Sequence, residues 1–117
     1  MMVVDSSAII IILEGKPDGA DFAAAIGNAD RVSISAMNVL ETGVVLRSRH
    51  GLAAVDRLWR FLVGDNDFEI VPFDATQARE ALSAFGRYGK GLNPNARLNI
   101  CDCAADALGS RPIKLLA

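Results

Sequence analysis

The strongest constraint on this chain is its regular alternation of short β-rich runs with longer helical patterns. Met1-Met2-Val3-Val4 predicts a strand that ends at Asp5, and Ser6 or Ser7 is placed to cap a helix through Ala8 to Leu13. Gly15 and Pro17 stop that helix. A second helix is expected over Asp18 to Asn28, followed by a short alternating strand, Val32-Ser33-Ile34-Ser35. Met37, Leu40 and Val44 recur at helical spacing, as do Leu52, Val55, Leu58 and Leu62, with a break near His50-Gly51. Phe68 to Phe73 predicts the next strand. Asp74-Ala75-Thr76-Gln77 then has the form of a capping box, opening a helix through Ala78, Leu82 and Phe85. Arg87 to Pro94 is expected as a basic, Gly-rich loop, Asn99 to Leu108 as a helix stopped by Gly109, and Ile113 to Leu116 as a last strand. Strands separated by helices are joined by crossovers rather than tight hairpins. The expected class is therefore α/β, with a mainly parallel sheet and helices on both faces.

A chain of 117 residues suits a single domain over residues 1–117. At 51% hydrophobic and 22% charged it has the balance of a folded core rather than of a disordered segment. The net charge of −2 excludes a strongly basic nucleic-acid coat while allowing a local basic patch. Cys101 and Cys103 are too few for a zinc site and too close together for a useful disulfide, so buried free thiols in a reducing compartment are expected. The apolar run Ala8 to Leu13 is far too short to span a bilayer, and no signal-peptide pattern precedes it. The expectation is a cytoplasmic protein with no membrane partner.

In an open α/β sheet, ligands bind beyond the carboxyl ends of the strands. Three acids fall at that edge. Asp5 ends the first strand, Glu41 lies in the early turns of the helix after the second strand, and Asp102 opens the last long helix. Each has an ordinary structural reading: Asp5 as a helix start, Glu41 as a helix flank, Asp102 as an acid favouring a helix N-terminus. Together they form a cluster whose mutual repulsion a divalent cation would relieve. A metal held there can activate water against a phosphodiester. The single histidine, His50, is read as a surface turn residue, and nothing suggests a serine- or histidine-based nucleophile.

The segments Val3-Val4-Asp5-Ser6-Ser7-Ala8, Asn38-Val39-Leu40-Glu41 and Leu98-Asn99-Ile100-Cys101-Asp102-Cys103 resemble the three acidic motifs of PIN-domain ribonucleases. With the loop Arg87-Tyr88-Gly89-Lys90-Gly91, the resemblance narrows to VapC-type toxins of bacterial toxin–antitoxin pairs. It implies a three-layer α/β/α sandwich and a Mg²⁺- or Mn²⁺-dependent endoribonuclease. Such a protein is usually a homodimer and is held inactive by a VapB-like antitoxin. By motif position, Asp5, Glu41 and Asp102 become the catalytic, metal-binding acids, with Ser6 and Ser7 as groups that order them. Arg87, Lys90 and Arg97 are candidates to hold the RNA backbone, and Tyr88 to stack a base. The plainer reading of this segment is a solvated, turning loop.

The resemblance also leads one to expect a fourth acidic position beyond the last strand, which the sequence, shortened by comparison, does not reach. Asp106, one helical turn after Asp102, is the candidate replacement, against the plainer reading of a solvent-facing helix residue. A second reading therefore stands beside the nuclease: a PIN-fold protein with weak or no catalysis that still binds antitoxin or RNA.

Overall fold

The computed structural model describes residues 2–89 and 114–116. Its elements are β1 (Met2–Val4), α1 (Ser6–Leu13), α2 (Gly19–Asn28), β2 (Val32–Ser35), α3 (Ala36–His50) and α4 (Leu52–Trp59), then a π-helical segment Arg60–Asp65, β3 (Phe68–Val71), α5 (Ala75–Gly89) and β4 (Lys114–Leu116). The strands form one sheet in the order β3-β2-β1-β4. Every pairing is parallel: Met2 lies opposite Val32 and Lys114, and Val32 opposite Phe68. The α/β expectation holds.

Strand order has a direct consequence. The chain steps from β1 to β2 to β3 in one direction, then returns to place β4 on the other side of β1. Right-handed crossovers therefore put α1 to α4 over one face and α5 over the other. The reversal lies between β1 and β4. The carboxyl end of β1, where α1 begins, borders this reversal.

The core is built from the apolar residues of the strands and the helix faces that cover them. Val3, Val4, Ile34, Ile9, Leu46 and Leu62 are fully buried, together with Ile26, Leu58 and Ala8. Helix α1 carries four consecutive isoleucines that would serve equally well in a strand. Burial of one face overrides that preference, since removing an Ile side chain from water is worth roughly 1.5–3 kcal/mol while its helix penalty is under about 1 kcal/mol. Asp5, rather than either serine, is the N-cap: its Oδ1 accepts from the amides of Ser7 and Ala8 at 3.1 and 3.3 Å. A Schellman turn closes the helix, with Gly15 N–H bonded to Ile12 O and Lys16 N–H to Ile11 O, both at 3.1 Å. Gly15 has φ +67° and open space around its missing Cβ. Gly15→Ala is thus expected to lose about 1 kcal/mol through backbone strain alone, measurable by urea denaturation.

Two local expectations change. Met37, Leu40 and Val44 do not mark the buried face of α3, because Leu40 is 63% and Val44 58% exposed. The inward residues are Asn38, Val39, Thr42 and Leu46. The expected capping box at Asp74 is only half formed. Gln77 N–H donates to Asp74 Oδ1 at 2.9 Å, but the Gln77 side chain turns into the interior and has no partner among the described residues. Among the described residues no helix is long and apolar enough to cross a membrane.

Candidate metal and RNA site

Helices α1 and α3 both begin at the carboxyl ends of adjacent strands, so each delivers its first-turn residues to the same edge. Asp5 follows Val4 directly, and Ser35, the last residue of β2, caps α3 by accepting from Met37 N–H at 3.2 Å. Glu41 lies in the second turn of α3. Both acids are half-buried.

The two carboxylates share a feature that separates them from the paired acids of the fold. Asp5 uses Oδ1 to cap α1 and to accept the Ser7 hydroxyl at 2.7 Å, while Oδ2 makes no hydrogen bond among the described residues. Among the described residues Glu41 has neither hydrogen bond nor ion pair, and no described cation stands within salt-bridge reach of either acid. Glu14 is the contrast. Its carboxylate, 9% exposed, meets Arg49 at 3.1 Å, His50 Nε2 at 2.8 Å and Lys16 at 3.7 Å. Half-buried carboxylates that are not spent on an ion pair with a described residue keep oxygens available to a cation. Hard carboxylate oxygens are the donors that Mg²⁺ and Mn²⁺ select, so the donor chemistry fits such an ion.

A buried polar contact joins the start of α1 to the start of α3. Asn38 Nδ2 donates to Ser6 Oγ at 2.9 Å, and the Ser6 hydroxyl lies 3.3 Å from Asn38 O. Thr42 Oγ1 donates to the same carbonyl at 2.7 Å. Ser6 adjoins Asp5, and Asn38 precedes Glu41 by one helical turn, so the pair of motifs is tied together through residues that are almost wholly buried.

The far ends of the same two helices are joined by the Glu14 ring, since Glu14 is the C-cap of α1 while Arg49 and His50 close α3. The His50 hydrogen bond, followed by Arg49 and the charges of Arg49 and Lys16, holds the Glu14 carboxyl below its ordinary value against the opposing effect of burial. A lowered folded-state pKa means that the contribution is present above the ordinary glutamate range and is lost as pH falls through the lowered value. The difference in melting temperature between wild type and Glu14→Gln is therefore expected to close on acidification below that range. A gap that stays constant across the acid limb of a pH series of thermal melts would contradict this.

Comparison with known proteins decides what this arrangement is. The PIN domain model matches residues 2–107. Ribonuclease VapC28 of Mycobacterium tuberculosis is 39% identical over 107 residues, covering 92% of this chain and 80% of the relative. Ribonuclease VapC of Mycolicibacterium smegmatis is 36% identical over 107 residues, with coverage of 92% and 81%. This chain belongs to the PIN-domain family, among the VapC ribonucleases. The fold agrees with that of the crystal structure of Mycobacterium tuberculosis VapC20, a Sarcin-Ricin loop cleaving toxin, at a TM-score of 0.74 and 16% identity over 97% of this chain and 85% of that one.

Within this VapC-type domain the expected site divides unevenly. Asp5 stands directly after β1, and Glu41 in the second turn of the helix that follows β2. Asp102, Asp106, Lys90 and Arg97 lie outside the described residues, as do Cys101 and Cys103. No group of three or more His, Cys, Asp or Glu suited to a metal occurs among the described residues. The loop expected to start at Arg87 does not start there: Arg87 and Tyr88 belong to α5, which runs to Gly89 and continues through Gly86. The sequence reading missed Asn38 and the Glu14 ring. Asn38 was visible only as a motif letter, and Glu14 pairs with residues 35 and 36 positions away, a separation without periodic signal.

Proposed function

We propose that this chain is a metal-dependent endoribonuclease, the toxin of a toxin–antitoxin pair, and that it hydrolyses RNA phosphodiesters at the β1/β4 edge. The observation that carries the reading is the pair of half-buried acids, Asp5 and Glu41, that have no cationic partner among the described residues and follow the carboxyl ends of the adjacent strands β1 and β2. Their place in a VapC-family chain supports it.

Asp5, Glu41 and Asp102 would hold Mg²⁺ or Mn²⁺, with Asp106 as a further candidate. Such an ion, when bound, supplies Lewis acidity and a water made acidic enough to act on a phosphodiester. The remaining work falls to the protein. Asp5 keeps one oxygen on the α1 amides, which fixes its carboxylate against rotation and leaves the other available. Arg87, Lys90 and Arg97 are proposed to bind the phosphate backbone and Tyr88 to stack a base, which orients the scissile phosphate and restrains the strand.

The proposed protein partner is a VapB-like antitoxin. A groove between α3 and α4 supports that part of the reading. It is lined by Leu40, Val44, Val55 and Trp59 with Arg47 at one side, and Leu40, Val44 and Trp59 remain largely exposed. An exposed apolar channel of this form suits the apolar stripe of an amphipathic helix. A homodimer in the cytoplasm is part of the same proposal.

Calorimetric titration of the purified chain with Mn²⁺ tests the central claim. Saturable uptake and RNA cleavage that requires Mg²⁺ or Mn²⁺ are expected. Absence of both from the folded protein would sink it.

A further inference from the structure

The buried contact between α1 and α3 is an unusual place for polar side chains. Ser6 is 5% exposed, Asn38 1% and Thr42 0%, while Ile9, Val39 and Leu46 nearby on the same helices are apolar core residues. Apolar groups of similar size would fill this space without having to find hydrogen-bond partners. Polar groups differ from them in being directional. An apolar contact tolerates a small slide of one helix along the other, whereas the Asn38–Ser6 bond at 2.9 Å holds only at one axial position.

That position matters because of what lies on either side. Ser6 is the residue immediately after the Asp5 cap, and its hydroxyl also faces Asn38 O at 3.3 Å. Asn38 stands three residues before Glu41, and the Thr42 hydroxyl ties the same carbonyl at 2.7 Å. A slide of α1 against α3 would separate the two acids by the full distance of the slide, since each is anchored to its own helix. Metal binding tolerates little of this: coordination shells of Mg²⁺ are narrow, and groups that orient ligands matter almost as much as the ligands.

We propose that Asn38 is a positioning residue, which acts through Ser6 to lock the start of α1 against α3 and so fixes Asp5 relative to Glu41. The inference rests on the proposed metal site for its consequence, but the lock itself can be read without metal.

The test compares wild type with Asn38→Leu, Ser6→Ala and Ser6→Thr in three measurements. These are thermal melting, Mn²⁺ titration calorimetry, and amide hydrogen exchange of the metal-free protein. Asn38→Leu and Ser6→Ala are expected to weaken Mn²⁺ binding at least about tenfold, the loss usual for groups that orient metal ligands. Ser6→Thr, which keeps the hydroxyl, is expected to retain near wild-type affinity. In the metal-free protein, Asn38→Leu and Ser6→Ala should lose protection at the Ser7 and Ala8 amides more than at the core amides of Ile34 and Leu46. Should Asn38→Leu fail to fold, the two Ser6 variants carry the same comparison with a smaller change of volume. Wild-type Mn²⁺ affinity in Ser6→Ala or Asn38→Leu, or protection lost evenly across the fold, overturns the proposal. If wild type itself takes up no Mn²⁺, the metal reading fails, and the exchange pattern still decides whether the lock exists.

Discussion

Asp5→Asn is expected to leave the fold intact and to reduce metal-dependent RNA cleavage by at least about 100-fold. The two halves of that result have separate physical origins. As an N-cap, Asn is as good as Asp, and its Oδ1 can still accept from the Ser7 and Ala8 amides. What is lost structurally is the interaction of the carboxylate charge with the helix N-terminus, worth about 0.3–1 kcal/mol at such a position. As a metal ligand, an amide oxygen is neutral and a much weaker donor to a hard cation than a carboxylate. Changes to groups that merely orient ligands reduce metal affinity or activity by roughly 10–100-fold, so the loss of a ligand itself should meet or exceed the upper end. Thermal melts and a cleavage assay run side by side measure both halves. Equal cleavage by wild type and Asp5→Asn at saturating Mg²⁺ would remove Asp5 from the mechanism.

The largest effect on stability is expected from Leu46→Ala. Leu46 is completely buried on α3 and shares its inward face with Asn38 and Thr42, at spacings of eight and four residues. It belongs to the cluster that joins α1, α3, α4 and the sheet, where Ile9, Ile34, Leu58 and Leu62 also meet. Truncation there removes apolar contacts on every side and leaves a cavity that rigid neighbours cannot close. Substitutions of this type cost about 2–5 kcal/mol. For a domain near 100 residues each kcal/mol corresponds to roughly 4–8 °C in Tm. The midpoint should therefore fall by on the order of 10 °C or more, a large share of the roughly 5–15 kcal/mol that holds such domains together. A loss below about 1 kcal/mol in urea denaturation would show that the site repacks and that Leu46 is not a keystone of the core.

The two substitutions bear on different parts of the molecule, and the contrast is itself informative. Asp5→Asn should alter chemistry at almost constant stability, and Leu46→Ala should alter stability through a fully buried residue five positions after Glu41 on α3.

Much of the architecture was legible from local pattern. Short β-rich runs separated by helical stretches imply crossovers, and crossovers imply parallel pairing, which all three strand pairings obey. The place of Asp5 was legible because it directly follows β1, and that of Glu41 because it lies in the early turns of the helix after β2. Helix faces were less legible. The stripe Met37, Leu40, Val44 has the spacing of a core face, yet Leu40 and Val44 lie exposed on the α3–α4 groove. Periodicity identifies an apolar face without saying which neighbour covers it, and here the inward side of α3 is partly polar.

The sequence by itself therefore determined the class of fold and the order of its strands and helices along the chain. These follow from short-range rules of periodicity, capping and chain reversal. Only the tertiary structure decided which strand lies beside which, and hence that β1 and β4 border the reversal. It also decided that Ser6 meets Asn38 and Glu14 meets Arg49 and His50 across more than thirty residues. Those contacts depend on how two helices settle against one sheet, a balance of many weak packing terms that no single stretch of sequence records.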